Sequence, residues 1–144
     1  MSGITLVTGA TGFVGSHVAR QLAERGERVR VLARPGSRRD LLAGVKVEFF
    51  AGDLRDGESL ERACHDATRV YHVAADYRLW AADPREIYES NVTGTRHLLD
   101  AARHAGVERF VYTSTVATIA VPRPGKPRWA AFTASCSACS FDRL

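Results

Sequence analysis

The chain has 144 residues, 45% hydrophobic and 25% charged, the make-up of one soluble domain with enough apolar material for a core. No run of about 18 apolar residues occurs, which excludes a hydrophobic transmembrane helix. Met1-Ser2-Gly3 passes straight into a β-branched segment without the basic start or cleavage site of a secretory signal, so a cytoplasmic location is expected. The net charge of +4 is spread one or two basic residues per element, as at Arg20, Arg25, Arg28, Arg62, Arg96 and Arg103. A nucleic-acid surface would gather them in a stripe with aromatics, so no nucleic-acid partner is expected. Three cysteines are too few for a disulfide framework. Cys136-x-x-Cys139 lacks the second ligand pair of a structural zinc site, so no metal is expected.

In chain order, Ile4-Thr5-Leu6-Val7 is a short continuous apolar run ending at Gly9, the pattern of a strand buried on both faces. Residues 13–24 follow with Val14, Val18 and Leu22 at i, i+4 and i+8, an amphipathic helix stopped at Arg25-Gly26. Residues 28–33 alternate and predict a second strand, and 45–50 a third. Asp56 caps a short helix with Leu60, Ala63 and Cys64 inward. Residues 69–73 predict a fourth strand. Asp83-Pro84 opens a long helix, with Ile87, Val92, Leu98, Leu99 and Ala102 as its buried stripe and Gly106 as its end. Residues 109–113 predict a fifth strand. Strands alternating with helices imply a doubly wound parallel α/β sheet.

The segment Gly9-Ala10-Thr11-Gly12-Phe13-Val14-Gly15 lies between the first strand and the first helix, the context a dinucleotide-binding Rossmann turn requires. In that reading Gly9 permits the tight turn, Gly12 lets the backbone approach a pyrophosphate, and Gly15 lets the helix pack on the sheet. The helix start then offers unpaired N–H groups and a partial positive charge to the phosphates. No lysine follows the last glycine, which excludes a P-loop.

The spacing G-x-x-G-x-x-G in Thr8–Gly15 resembles the extended short-chain dehydrogenase/reductase family, which includes NAD-dependent epimerases and dehydratases. Further matches follow in order over residues 4–119: Gly52-Asp53-Leu54, His72-Val73-Ala74-Ala75, Asn91-Val92-x-Gly94-Thr95, and Phe110-Val111-Tyr112-Thr113-Ser114-Thr115. The stretch 73–80, Val-Ala-Ala-Asp-Tyr-Arg-Leu-Trp, resembles the hopanoid-associated sugar epimerase subgroup, whose relatives include dihydroflavonol-reductase-like enzymes. The resemblance implies that Gly9, Thr11, Gly12, Phe13, Val14, Gly15, Asp53, Leu54, Ala74 and Ala75 bind cofactor, with Asp53 at the adenine. It also implies that Thr115, or next Ser114, supplies the hydroxyl that aligns a small-molecule substrate's reacting oxygen. Asn91 sits on an otherwise apolar helix face; a polar role near the site and a satisfied buried amide both remain open. Tyr77, Arg78 and Trp80 line a substrate mouth or form a surface loop.

Arg34 stands near the end of the second strand, where NAD enzymes carry an acid for the ribose 2′-hydroxyl, and Arg38 and Arg39 follow. A guanidinium suits a 2′-phosphate, so NADP is favoured over NAD. The resemblance also implies an acid/base tyrosine four residues before a lysine. The chain has no Y-x-x-x-K: Tyr71, Tyr77, Tyr88 and Tyr112 lack the lysine, and Lys46 and Lys126 are its only two. After Val121 the periodicity fails, with Pro122, Pro124 and Pro127 close together. The expected organisation is therefore a partial, C-terminally incomplete Rossmann-type domain over 1–121. Residues 122–144 then form an atypical tail from a frameshift or truncated gene, and the chain is expected to be inactive alone.

Overall fold

A computed structural model describes residues 3–78 and 81–114. The chain divides into two compact units, residues 1–112 and 113–144, and Thr113 and Ser114 are the described residues of the second. The first unit contains β1 (Ile4–Thr8), α1 (Phe13–Glu24), β2 (Arg28–Ala33), β3 (Glu48–Ala51), α2 (Gly57–Cys64) and β4 (Ala67–His72). These are followed by α3 (Pro84–Tyr88), a π-helical turn (Glu89–Thr93), α4 (Gly94–His104) and β5 (Arg109–Tyr112). The five strands form one sheet in the order β3-β2-β1-β4-β5, and every pairing is parallel. The predicted doubly wound α/β sheet is therefore present.

Alternation along the central strands explains why the sheet is covered on both faces. Leu6, Leu32 and Val70 point to one face, where they pack with Leu60, Ala63, Leu98 and Ala102 of α2 and α4. Val7, Val29 and Val31 point to the other, against Ala19 and Leu22 of α1 and Leu42. The inward face of α1 differs from the expected one. Its buried residues are Gly15, Ser16, Ala19 and Leu22, while Val18 is half-buried and Val14 is 55% exposed. The buried face runs through Gly15, Ser16, Ala19 and Leu22, rotated away from the Val14–Val18–Leu22 line, so Val14 falls outside it.

Local signals set the helix ends. The Asp56 carboxylate accepts the Ser59 N–H at the start of α2, as expected of a cap. Asp83 accepts the Arg85 N–H, with Pro84 in the first turn of α3. Both α1 and α4 end in Schellman motifs. Glu27 N–H reaches the Leu22 carbonyl and Val107 N–H the Ala102 carbonyl, around Gly26 and Gly106.

The predicted long helix is present over residues 84–104, with a π turn at Glu89–Thr93 inserted between α3 and α4. Its buried centre is Gly94, Leu98, Ala101 and Ala102, whereas Ile87, Val92 and Leu99 are half-buried. One extra residue in a turn rotates everything before it relative to α4, so a single stripe cannot stay buried through both. The third strand starts later than expected, because Val45 N–H closes a turn on the Leu42 carbonyl. Among the described residues no helix is long and apolar enough to cross a membrane.

Candidate functional site

β2 and β3 lie on one side of β1, and β4 and β5 on the other. The winding therefore reverses between β1 and β4, and in such sheets a crevice opens at the carboxyl ends of those two strands. The turn after β1 enters it. Gly9 has φ of 74°, and a Cβ there would stand 2.5 Å from the Ala74 amide nitrogen. That combination admits glycine alone, since an L side chain would be strained as well as blocked. At Gly15 a Cβ would stand 2.2 Å from the Gly9 carbonyl oxygen, so α1 starts hard against the turn that precedes it. A Cβ at Gly12 would meet only the Gly9 carbonyl oxygen, at 3.4 Å. Gly12 caps α1 with extended backbone, and the first turn of the helix holds no acidic residue. The opening N–H groups of α1 have no partner within the helix and carry its positive dipole end. They stand beside Thr11, half-buried, and Phe13, 74% exposed. This is a cradle shaped for an anion, and it fits the pyrophosphate of a dinucleotide.

The adjoining strand ends supply charge. Arg34, immediately after β2, is exposed and makes no ion pair among the described residues, whereas Arg38 pairs with Asp40 at 2.8 Å and Arg39 lies 4.4 Å over the Phe49 ring. Asp53 follows β3. Its carboxylate takes Arg55 Nε at 3.1 Å and Nη2 at 2.8 Å, and that pairing holds its pKa below the usual carboxylate range, with help from the Arg34 charge. Leu54 is buried, and a Cβ on Gly94 would stand 2.8 Å from its Cβ, which brings the start of α4 close under this strand end.

The opposite wall is the segment after β4. Ala74 is half-buried and Ala75 exposed. Asn91, in the π turn, holds the Asp76 backbone at both ends: its Oδ1 accepts the Asp76 N–H at 2.7 Å and its Nδ2 donates to the Asp76 carbonyl at 2.7 Å. The amide is thus satisfied. Asp76 also binds Arg78, whose guanidinium reaches Glu86 at 3.2 Å. Arg78 is the main reason the Asp76 carboxyl sits below its ordinary range. Tyr77 is 90% exposed.

Sequence reasoning singled out neither Thr8 nor Thr95, and took His72 only as the first residue of the matching stretch His72-Val73-Ala74-Ala75. Thr8 Oγ1 stands 2.7 Å from His72 Nδ1, and His72 Nε2 stands 2.9 Å from Thr95 Oγ1. The His72 ring also stacks on Tyr112, with centroids 5.3 Å apart. A buried histidine in register with a buried threonine on the neighbouring strand was the available signal. Burial drives the His72 pKa down to about 4, so the imidazole is neutral near pH 7. Cys64 is buried too, and its thiol is pushed up to about 11, which leaves it unreactive.

Thr115, Trp80, Cys136 and Cys139 lie outside the described residues. Ser114 is described but belongs to the second unit. The crevice of the first unit therefore gathers Gly9, Thr11, Gly12, Phe13, Val14 and Gly15, with Arg34, Asp53, Ala74, Ala75 and Asn91 on the strand ends and segment around it. Among the described residues no group of His, Cys, Asp or Glu could hold a metal ion.

Comparison with known proteins agrees with this geometry. The NAD dependent epimerase/dehydratase family matches residues 5–137. A protein of Synechocystis sp., provisionally named as a dihydroflavonol 4-reductase, is 45% identical over 126 residues, which are 88% of this chain and 36% of that one. A UDP-glucose 4-epimerase of Streptomyces lividans is 40% identical over 129 residues, 85% of this chain and 39% of its own. The chain thus spans less than two-fifths of the length of either relative. The crystal structure of Thermus thermophilus UDP-glucose 4-epimerase in complex with NAD superposes with a TM-score of 0.73 and 36% identity, covering 94% of this chain and 48% of that one.

Proposed function

The chain belongs to the NAD-dependent epimerase/dehydratase family, and from that premise we propose that it is the cofactor-binding portion of an epimerase or reductase acting on a sugar or a related alcohol or ketone. One observation carries the reading: the crowding at Gly9 and Gly15, which places a helix start without a side-chain cap at the switch point of a parallel sheet. When bound, the nicotinamide would accept or deliver hydride. The chain's own part is to hold the pyrophosphate at the opening N–H groups of α1 and the adenine end near Asp53.

NADP is the preferred dinucleotide in this proposal. Arg34, at the end of β2, makes no ion pair among the described residues, and a 2′-phosphate there would gain a charge-assisted, forked contact. Arg38 and Arg39 are already engaged. Fluorescence titration with NADPH and NADH is the test. We expect tighter binding of NADPH, and Arg34→Glu should reverse the order. An unchanged preference in Arg34→Glu would remove the NADP assignment, and binding of neither nucleotide would remove the dinucleotide reading.

In the proposed scheme the aligning hydroxyl is Thr115, or Ser114 beside it, while Asn91 acts by fixing the wall segment through Asp76. The acid/base step lacks its tyrosine–lysine pair in this sequence. Loss of such a group typically lowers rates by about 10²–10⁴-fold. Negligible turnover is therefore expected of the purified chain, and rates near those of full-length relatives would refute that. A second reading is a dinucleotide-binding module without catalysis.

A further inference from the structure

Behind the crevice wall, hydrogen bonds run in one direction from β1 through β4 to the π turn. The Thr95 hydroxyl donates to the Asn91 carbonyl at 2.8 Å. Its single proton is thereby used, so Thr95 Oγ1 meets His72 Nε2 as an acceptor, and Nε2 carries the hydrogen. The imidazole is 1% exposed, and burial keeps it neutral, which leaves Nδ1 with a lone pair. The Thr8 hydroxyl therefore donates to Nδ1. Its own lone pair faces the Ala74 N–H in a long contact of 3.4 Å. Every member has its partner, and the direction is consistent from one end to the other.

Both ends of this chain act on the same short segment. One end reaches the Ala74 amide through Thr8. The other is Asn91, whose side chain grips the Asp76 backbone on both sides. That segment lies close beside the turn, because Ala74 stands where a side chain on Gly9 would be.

We propose that Thr8, His72 and Thr95 form a positioning relay that sets residues 74–76 against the glycine turn, with Thr95 a positioning residue for dinucleotide binding. The proposal rests on the dinucleotide reading for its ligand and on hydrogen-bond geometry for its mechanism. Thr95 acts at a distance: it fixes the imidazole tautomer, the tautomer fixes the Thr8 hydroxyl, and the hydroxyl holds the wall.

The test compares the full chain with Thr95→Val and Thr95→Ser. In the wild type, the imidazole ¹⁵N signals of His72 should report a neutral Nε2–H ring from about pH 5 to about pH 8. Thr95→Val should bind NADPH about tenfold more weakly, and its Ala74 and Asp76 amides should exchange faster. Thr95→Ser, which keeps the hydroxyl, should restore both. An Nδ1–H tautomer or an imidazole titrating at its ordinary value in the wild type would overturn the relay, even if the valine variant did not fold. So would a folded Thr95→Val with wild-type affinity and exchange. If the wild type binds neither NADPH nor NADH, the dinucleotide reading falls. The tautomer and the exchange of Ala74 and Asp76 then decide the relay alone.

Discussion

On one flank of the crevice the β1–α1 turn is held by backbone fit, with Gly9 at φ 74° and Gly15 against the Gly9 carbonyl. On the other flank, residues 74–78 are held by side chains drawn from β1, β4, α3 and the π turn. Steric fit is all-or-none and indifferent to pH. A polar network is graded, and it answers to protonation. Perturbing the two flanks should therefore produce effects of different size and different character.

The largest effect belongs to the backbone flank. In Gly15→Val the new Cβ would stand 2.2 Å from the Gly9 oxygen and 2.8 Å from the Ala10 nitrogen, both backbone atoms that cannot rotate away. A loss of about 3 kcal/mol or more is expected. For a domain of this size that is a fall in Tm of roughly 10–20 °C by calorimetry or circular dichroism. Gly12→Ala provides the contrast within the same turn, since its Cβ meets a single atom at 3.4 Å. It should stay within about 1 kcal/mol of wild type. Equal losses from the two substitutions would show that the turn is not held by the Gly15 contact.

The difference between the flanks also explains what could be read from the sequence. Glycines at fixed spacing between a strand and a helix are a local pattern, so the turn and the span of α1 at residues 13–24 were legible. The Asp56 cap was legible for the same reason. Thr8 and His72 are 64 residues apart, and His72 and Thr95 are 23 apart. Only the β1–β4 pairing and the packing of α4 bring them together, and no local pattern encodes that meeting. The π turn was hidden because one extra residue scarcely alters a hydrophobic period, yet it is what carries the side chain of Asn91 to Asp76. Val14 was assigned inward because the i, i+4 line misses the face that packing selects, which runs through Gly15, Ser16, Ala19 and Leu22.

The intermediate effect belongs to the side-chain flank and depends on pH. His72 has its folded pKa lowered from 6.5 to about 4 by burial. Above the unfolded value both states are neutral there, and the network contributes in full. As pH falls through 6.5 the unfolded chain takes up a proton that the folded chain refuses, so stability is lost progressively down to about pH 4. The shift corresponds to a loss of about 3 kcal/mol across that window. Urea melts at stepped pH should show this slope in the wild type and a much shallower one in His72→Asn. Asp53, Asp76 and Asp83 all have lowered pKa values, so their contributions are lost at lower pH, through and below the usual carboxylate range. A slope confined to that lower range would mean that His72 titrates freely and that the side-chain flank is not buried as described.

The smallest effect lies at the rim, where Arg55 clasps Asp53 with side chains 55% and 25% exposed. Solvent screens such a pair, and Arg55→Ala should cost no more than about 0.5 kcal/mol near pH 7. Its sign can still be checked. Arg55 is the main cause of the lowered Asp53 pKa, so in the variant that carboxyl returns toward its ordinary value. The wild type is therefore favoured where the carboxylate is charged, and its advantage disappears as pH falls through the carboxylate range and Asp53 is protonated. Paired melts at pH 7 and at about pH 3 would measure it. A loss above about 1 kcal/mol would put Asp53 among the groups that hold the crevice, rather than among those left at its edge for a ligand.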